Sequence, residues 1–570
     1  MTALRVWAPD VARLAVEAGG TRRPLARADD GWWTGPELAP GTDYAFLLDD
    51  DEQPLPDPAS RWQPYGVHGP SRIYDQAAYT WHDEHWRGRG LPGAVSYELH
   101  IGTFTPGATF DAAIERLDHL VDLGITHVEV LPVNAVNGTW NWGYDGVGWY
   151  AVHEPLGGPD GFKRFVDAAH GSGLAVVLDV VYNHLGPSGN YLPRFGPYLK
   201  TGRNTWGELV NLEEPAVRSF IVDNALMWLC DYHVDGLRLD AVHALEDRSA
   251  QHILAELGAR VDALQAALGR PLTLIAESDL NDPIMVEPRP DGYGLAGVWD
   301  DDVHHALHAA LTGERQGYYC DFGSLSALQK VLTRAYLHDG TYSTFRGKTH
   351  GRPVERTSTP GWHFVVSLQN HDQVGNRAVG DRLAEIAGIA SAKIGAVLLL
   401  TAPFTPMLWM GEEWAASTRW PFFASHPEPE LAETVGKGRV EEFAGHGWDM
   451  SQMIDPQDPE AYRSAILQWD ELGEPEHVEM LDLYRHLIAL RSAEPELTDS
   501  DLTRVRVDVD ESRRWLVMHR GGLRVIANLA DESRTVPVDA FDLLLATGTI
   551  EVADGAVTLG AQSAAIVRAR

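Results

Sequence analysis

The chain has very few cysteines: only Cys230 and Cys320 occur among its 570 residues. Two cysteines are too few for a disulfide framework or a cysteine-based zinc site. We therefore predict two buried thiols, because free cysteine usually behaves as a small apolar residue. The sequence also lacks an obvious run of about 18 apolar residues, so we predict no membrane span. "MTALRVWAPD" lacks a basic segment followed by an apolar one, so we expect an unprocessed, cytoplasmic protein.

Basic residues are scarce as well. The chain has 46 lysines and arginines against 81 aspartates and glutamates, which gives a formal net charge of −35. A surface this acidic repels phosphate backbones and anionic lipids. We therefore predict that neither nucleic acid nor a membrane is a partner. Tryptophan is abundant instead, with 19 residues, and aromatic rings fill cores or stack on flat apolar faces such as those of sugars.

The chain is too long for one ordinary hydrophobic core, and its patterning changes twice. Residues 1–90 contain short apolar runs between turn-like segments, which predicts an N-terminal β-sandwich of immunoglobulin-like or carbohydrate-binding type. Residues 91–494 alternate short apolar runs with segments of helical periodicity. Residues 495–570 return to short strands, which predicts a C-terminal antiparallel β-sandwich.

Eight short apolar runs in the middle segment predict eight strands separated by helices. They lie at residues 94–101, 127–133, 174–184, 234–242, 272–278, 295–301, 363–372 and 404–414. Strands that are apolar on both faces and joined by helices form parallel sheets. Eight of them favour an α/β fold with a closed (β/α)8 barrel. An open doubly wound sheet is the alternative, but no glycine-rich phosphate loop follows the first strand.

Polar residues are concentrated where these strands end, which is where barrels of this kind carry their catalytic residues. In "GLRLDAVHA" (residues 236–244), Arg238 and Asp240 alternate with leucines and therefore share one face. The other strand ends carry Asp179, Asn183, His184, Glu277, Asp300, Asp301, Asp302, His304, Asn370, His371, Asp372 and Glu412. One such residue alone is usually a helix cap or a structural side chain. Their convergence on one rim predicts an active site.

Three carboxylates, Asp240, Glu277 and Asp372, stand out among these residues. The sequence shows no serine–histidine–aspartate order, HExxH motif or thiol nucleophile to compete with them. Paired carboxylates suit cleavage of a glycosidic bond through an oxocarbenium-like transition state. Arg238 favours the ionised form of Asp240, which suits a nucleophile, whereas the apolar run before Glu277 favours a protonated acid. Asp372 would stabilise positive charge on the sugar.

Four motifs then point to a family. "DVVYNH", "GLRLDAVHA", "LIAESDL" and "SLQNHDQ" occur in this order and resemble the signature regions of the α-amylase family, glycoside hydrolase family 13. The resemblance implies that Asp240 is the nucleophile, Glu277 the general acid/base and Asp372 the transition-state stabiliser. It also implies contacts with the sugar at the cleavage point for Tyr144, His184, Arg238 and His371. The family retains anomeric configuration, so the two reacting carboxyls are expected about 5–5.5 Å apart.

Two places differ from many amylases: His243 and Ala244 stand where lysine and histidine are common, and Gln369 replaces a glutamate. With "FRGKTHGRP" and "QNHDQVGNR", they resemble the branch of the family that acts on maltooligosyl trehalose. The resemblance implies hydrolysis of the α-1,4 bond next to the trehalose unit, which releases trehalose and a maltooligosaccharide. It also implies an upstream partner enzyme that forms the α,α-1,1 link.

A bent, non-reducing trehalose unit calls for a pocket that hydrogen-bonds both rings and so rejects linear maltose. His243 lies just beyond Asp240 and is predicted to face this unit. Further candidates on the strand-end loops are Asp301, Asp302, His304, Gln373 and Asn376. Asp179 and Asn183 carry the oxygens that calcium prefers, but we predict no metal and no cofactor.

Two other functions remain open at this point. A branching or debranching enzyme for α-1,6 links would share the N-terminal sandwich and the proline-rich linker. A non-catalytic glucan-binding protein would share the barrel, but such relatives typically lose a catalytic carboxylate, and all three are present here.

Overall fold

The computed structural model describes residues 2–444, 452–539, 542–553 and 555–569. At its centre, eight parallel strands form a closed barrel in which the eighth strand pairs with the first. In chain order they are β1 (Ser96–Leu99), β2 (His127–Val130), β3 (Ala175–Val180), β4 (Gly236–Leu239), β5 (Thr273–Ala276), β6 (Gly297–Trp299), β7 (Phe364–Ser367) and β8 (Thr405–Trp409). The closed barrel confirms the sequence prediction and excludes the open sheet.

The barrel strands are apolar because both of their faces are covered. Every residue of β3 and of β8 is buried. The longer helices between strands are Leu117–Leu123, Gly158–Gly171, Pro215–Asp231, Ile253–Leu268, Asp301–Thr312, Leu325–Arg334, Leu383–Thr401 and Pro475–Ala493. The first of these ends at Gly124 in a left-handed conformation with φ 94°, which glycine adopts without strain.

Shorter elements decorate the rim at the carboxyl ends of the strands. Three two-stranded sheets project there: Asn134–Ala135 with Gly148–Val152, Leu199–Arg203 with Glu208–Val210, and Thr341–Ser343 with Lys348–His350. The other α-helices that the structure describes are Ile101–Phe104, Phe110–Ile114, Leu192–Phe195, His371–Gly375, Pro429–Ala444, Pro459–Ser464 and Pro495–Thr498, of which only Pro429–Ala444 is long.

Antiparallel sheets lie before and after the barrel in the chain. The N-terminal segment forms one sheet from Thr2–Trp7, Ala26–Arg27 and Trp32–Leu38, and another from Leu14–Ala18, Thr21–Pro24, Asp43–Leu48 and Ser71–Arg72. The C-terminal segment forms a five-stranded sheet from Arg506–Asp510, Trp515–Arg520, Leu523–Asn528, Asp542–Ala546 and Ser563–Arg568. A second C-terminal sheet contains Arg534–Val536, Ile550–Ala553 and Ala556–Leu559. The domain boundaries given above remain predictions.

One helix, Leu383–Thr401, is long and apolar enough by composition to cross a membrane. The charged residues Glu385 and Lys393 interrupt its apolar residues, so it is not an unbroken apolar run, and the absence of a membrane span stays a prediction. This helix packs against Asp301–Thr312, Pro475–Ala493 and strands of the C-terminal sheet, and most of it is buried. Its backbone also leaves the helical conformation at Gly388, where φ is 81°. Burial in the protein core therefore explains its composition.

The two cysteines are exposed, and the prediction of buried thiols was wrong. Cys230 lies in the last turn of Pro215–Asp231, on a position that faces away from the buried stripe of that helix. Cys320 lies in a short 3-10 helix that follows Asp301–Thr312. Both thiols are free.

A buried charge network connects the linker after the N-terminal sheets to the end of the barrel where the strands begin. His170 is inaccessible and hydrogen-bonds Asp83 through Nδ1 and Asp235 through Nε2, each at 2.9 Å. Arg270 donates to Asp235 at 2.6 Å, and Trp86 donates to the same carboxylate at 2.7 Å. Burial opposes a charge on His170, but the two carboxylates outweigh it and raise the pKa of the imidazole. The base of the barrel therefore contains a buried ion network around His170.

Candidate active site

Asp240 follows β4 directly and is held by two hydrogen-bond donors. Arg238 donates from Nη1 to Oδ1 at 2.7 Å, and Asn183 donates from Nδ2 to Oδ2 at 2.7 Å. Arg238 is fully buried and also donates to both oxygens of Asp179, at 3.0 and 2.9 Å. Charge-assisted and amide hydrogen bonds of this kind fix the orientation of the Asp240 carboxylate. The predicted pairing of Arg238 and Asp240 on one face is therefore confirmed.

Glu277 follows β5 and lies on the other side of the same guanidinium. Its Oε2 accepts a hydrogen bond of 2.5 Å from the backbone nitrogen of Ala241 and lies 3.8 Å from Nη2 of Arg238. Burial raises the pKa of Glu277 to about 8. Arg238 lowers this pKa, but the carboxylates of Asp240, Asp372 and Asp301 raise it further. Glu277 therefore holds a proton at neutral pH and can donate it.

Asp372 lies in the first turn after β7 and is the most exposed of the three carboxylates. Its Oδ1 accepts from the amide of Asn376 at 3.1 Å, and its Oδ2 lies 3.4 Å from Nε2 of His371. His371 is held from behind by Glu98 of β1, which accepts from the ring at 2.5 Å and from the backbone nitrogen at 2.9 Å. Burial opposes a charge on this imidazole, but Asp372 and Glu98 raise its pKa to about 9.

Tyr144 and His184 complete the floor of the site. The Tyr144 hydroxyl donates to Asp179 at 2.5 Å, and its ring stacks on His371 with centroids 5.1 Å apart. Burial raises the pKa of Asp179 to about 6, although Arg238 and Tyr144 favour its ionised form. His184 is fixed by Asn183, whose Oδ1 lies 2.5 Å from its Nδ1. Asp179 thus accepts hydrogen bonds from Arg238 and Tyr144, and Asn183 contacts Asp240 and His184.

These side chains border a cavity of about 670 Å³ at the carboxyl ends of the strands. Of the predicted site residues, the cavity wall includes Tyr144, His184, Asp240, Glu277, Asp301, His371, Asp372, Gln373 and Asn376. Arg238 lies beneath the wall, where it contacts Asp240 and Asp179. The structure thus brings the three carboxylates and most of the predicted sugar contacts into one cavity.

Besides Arg238, three predicted residues do not reach the wall. Asp302 turns into the protein, where it accepts from the amide of Asn281 and from the backbone nitrogens of Leu337 and His338, at 2.7–3.0 Å. His304 is buried among His308 and Tyr319. For both, the structure contradicts direct sugar binding, because neither side chain is on the cavity surface.

His243 is the third such residue. Its ring packs edge-on against Trp206, with centroids 6.1 Å apart. Trp206 is itself on the cavity wall and nearly half exposed, at 47%. His243 therefore supports a wall residue and does not line the wall itself.

Several wall residues were not among the predicted site residues. They are Asn141, Trp142, Asp145, Thr205, Trp206, Ala241, His305, Tyr318, Phe345, Arg346, Phe422 and Arg439. For His305 the signal was present: it lies four residues after Asp301 in the helix Asp301–Thr312, and residues four apart share a helix face. For Glu98 the signal was a carboxylate inside the buried run of β1.

The aromatic wall residues suit a carbohydrate. Phe345 is 46% exposed and Trp206 is 47% exposed, so each presents ring surface to the cavity. A flat apolar ring packs well against a sugar face, while the carboxylates accept hydrogen bonds from hydroxyl groups. Two carboxylates on opposite sides of a buried guanidinium, one of them protonated, can cleave a glycosidic bond.

Two family models match parts of this chain. Residues 107–196 match the model "Alpha amylase, catalytic domain", and residues 500–566 match "Domain of unknown function (DUF3459)". A solved structure named as a putative alpha amylase from Salmonella typhimurium is 37% identical and has a TM-score of 0.92. The match covers 100% of this chain and 97% of that one.

Curated relatives match over nearly the whole chain. The "Malto-oligosyltrehalose trehalohydrolase" of Rhizobium sp. (strain M-11) is 54% identical over 99% of this chain and 97% of its own length. The protein of the same name from Mycobacterium tuberculosis is 51% identical over 100% of this chain and 99% of its own length.

Proposed function

The chain belongs to the malto-oligosyltrehalose trehalohydrolases of the α-amylase family, and from this premise we propose its reaction and the residues that perform it. It is a glycoside hydrolase that cleaves the α-1,4 bond next to the trehalose end of a maltooligosyl trehalose. The products are trehalose and a maltooligosaccharide. The observation that carries the proposal for the residues is the arrangement of Asp240 and Glu277 around the buried guanidinium of Arg238.

In the first step, Asp240 attacks the anomeric carbon of the glucose next to trehalose. A bond forms between a carboxylate oxygen of Asp240 and that carbon, and the bond from the carbon to the trehalose oxygen breaks. Glu277 gives its proton to the departing oxygen, so trehalose leaves as a neutral alcohol. Asp372 and Tyr144 face the same sugar, where the carboxylate stabilises the positive charge of the transition state.

In the second step, Glu277 has lost its proton and accepts one from water. The resulting hydroxide attacks the same carbon, the ester bond to Asp240 breaks, and the maltooligosaccharide leaves with its original α configuration. Asp240 returns to the carboxylate that Arg238 and Asn183 hold in place. The raised pKa of Glu277 supports its role as the proton carrier of both steps.

Selectivity for trehalose is proposed to arise where the leaving group departs, on the Glu277 side. The wall there comes from segments that follow β3 to β6 and includes Trp206, His305, Tyr318, Phe345 and Arg346. Arg346 is oriented by Asp279, 3.3 Å from its Nη2. Aromatic faces together with a guanidinium suit the bent trehalose unit, whose two glucose rings offer hydroxyls and no reducing end.

We further propose that an enzyme forming the α,α-1,1 link at the end of a glucan supplies the substrate. Such an enzyme must act first, because the bond cleaved here is defined by the trehalose unit beside it. A cytoplasmic location remains a prediction from the sequence.

The stereochemistry of one digest tests the mechanism. Proton NMR of maltosyl trehalose during hydrolysis should show trehalose together with maltose that first appears as the α-anomer and later mutarotates. Maltose that first appears as the β-anomer would exclude a covalent Asp240 intermediate, and absence of trehalose would exclude the proposed bond.

A further inference from the structure

The segment after β8 that contains Ser425 and Glu428 is hydrogen-bonded to the loop after β2. The Ser425 hydroxyl accepts from the backbone nitrogens of Thr139 and Trp140, at 2.8 and 3.0 Å. A Cβ at Gly138 would lie 1.8 Å from the backbone oxygen of Ser425, so glycine is required for this close approach. Glu428 then accepts from Asn137 at 2.9 Å. This segment is therefore held firmly against the loop after β2.

The helix Pro429–Ala444 continues from this anchor and brings Arg439 to the cavity wall. The Arg439 guanidinium lies over the ring of Phe422, 4.4 Å from its centroid, and 5.9 Å from that of Trp142. It also donates to Oδ1 of Asn376, whose amide nitrogen donates to Asp372. Arg439 is thus part of the wall beside the proposed transition-state stabiliser.

The barrel order divides the cavity into two halves. Segments after β3, β4, β5 and β6 carry Glu277 and Trp206, and the leaving group departs on this side. Segments after β7, β8 and β2 carry Asn376, Phe422 and Trp142, which form the opposite half. The glucan that remains bound after trehalose leaves must extend along this second half.

We propose that Arg439 binds the second glucosyl unit on the glucan side of the cleaved bond, and so selects substrates with at least two such units. This proposal rests on the proposed function. A guanidinium offers several N–H donors in a rigid plane, which suits adjacent sugar hydroxyls. The Phe422 ring and the Asn376 amide orient that plane before substrate arrives, which reduces the entropy lost on binding.

A series of substrates that differ only in glucan length separates binding from positioning. Glucosyl trehalose has one glucosyl unit on this side, maltosyl trehalose has two, and maltotriosyl trehalose has three. An arginine that touches the second unit affects the two longer substrates and leaves the shortest unchanged. An arginine that acts only by holding Asn376 against Asp372 affects all three equally, because each places a glucose at the cleavage point.

The experiment compares Arg439→Ala, Arg439→Lys and the control Lys437→Ala with the wild type. Lys437 lies on the same helix, is exposed, and pairs with Glu433 on its surface. For Arg439→Ala we expect kcat/KM to fall about 10-fold to 100-fold on maltosyl and maltotriosyl trehalose, mainly through KM. On glucosyl trehalose it should change less than about 2-fold. Arg439→Lys should show a smaller loss with the same length dependence, and Lys437→Ala no loss.

An equal loss on all three substrates, or no loss on any, would overturn the proposal. If Arg439→Ala melts at a lower temperature than the wild type, the length dependence of Arg439→Lys decides in its place. Failure of the proposed function is distinguishable, since the wild type itself would then release no trehalose from any of the three.

Discussion

The guanidinium of Arg238 donates a hydrogen bond of 2.7 Å to Asp240, and its other terminal nitrogen lies 3.8 Å from Glu277. One buried cation thus lies between two carboxylates that need opposite protonation states. Asp240 accepts hydrogen bonds from Arg238 and Asn183, which fix its orientation. Glu277 accepts from a backbone nitrogen, and its burial raises its pKa to about 8. The environment therefore separates the nucleophile from the acid.

Replacing the nucleophile should abolish turnover without unfolding the protein. For Asp240→Asn we expect trehalose release to fall at least about 1,000-fold, because no carboxylate remains to form the covalent bond. The melting temperature should change little, since Asp179 still pairs with Arg238 at 2.9 Å. Release of trehalose at a normal rate by this variant would exclude Asp240 as the nucleophile.

The proton of Glu277 should control the alkaline side of the pH profile. Only the protonated acid can donate to the leaving oxygen, so wild-type kcat/KM should fall as pH rises through about 8. Glu277→Gln should lower the rate about 100-fold to 10,000-fold and remove this decline, because the amide does not titrate. The check is kcat/KM between pH 6 and 9; an alkaline limb that persists in the variant would assign it to another group.

His243 should affect selectivity more than rate. Its ring supports the edge of Trp206 on the leaving-group side of the cavity. In His243→Ala the indole loses this support, so we expect the preference for maltooligosyl trehalose over a linear maltooligosaccharide to fall about 10-fold. Both values of kcat/KM are measured on the same preparation. Unchanged selectivity would show that Trp206 needs no support from His243.

The buried network around His170 should make stability depend on pH. Its pKa in the folded protein lies above the ordinary value of 6.5, so its contribution is complete below that pH and is lost as pH rises through the folded pKa. At pH 6, His170→Gln should lose about 3 kcal/mol of stability, and its deficit in melting temperature should shrink by pH 9. The control His82→Gln removes an exposed pair with Asp167 and should melt as the wild type does. A deficit that is constant with pH would contradict a charged His170.

Much of the site was predictable because strand ends converge in a barrel whatever lies between them. Arg238 and Asp240 were assigned from alternation alone, and β4 presents both to the same place. The sequence did not predict which side of the helix after β6 faces the cavity. In Asp301–Thr312 the cavity is faced by Asp301 and His305, four residues apart, whereas Asp302 and His304 point into the protein. Proximity in sequence to a strand end did not distinguish these directions.

Wall residues on long segments between or after the barrel strands could not be assigned to the cavity from the sequence. Trp206 reaches the cavity from the turn of a two-stranded sheet after β3, and Arg439 from the helix Pro429–Ala444, which follows β8. Their positions depend on tertiary contacts such as those of Ser425 with the loop after β2. Burial of the two cysteines was also misjudged, because residue preference says little about which helix face a given position occupies.

The most direct test of the account compares maltotriosyl trehalose with maltopentaose, which has the same number of glucose units. Trehalose and new reducing ends are quantified in parallel digests with equal enzyme. We expect equimolar trehalose and maltotriose from the first substrate, at a rate at least about 100-fold above any cleavage of the second. Comparable rates on the two substrates, or reducing ends without trehalose, would contradict it.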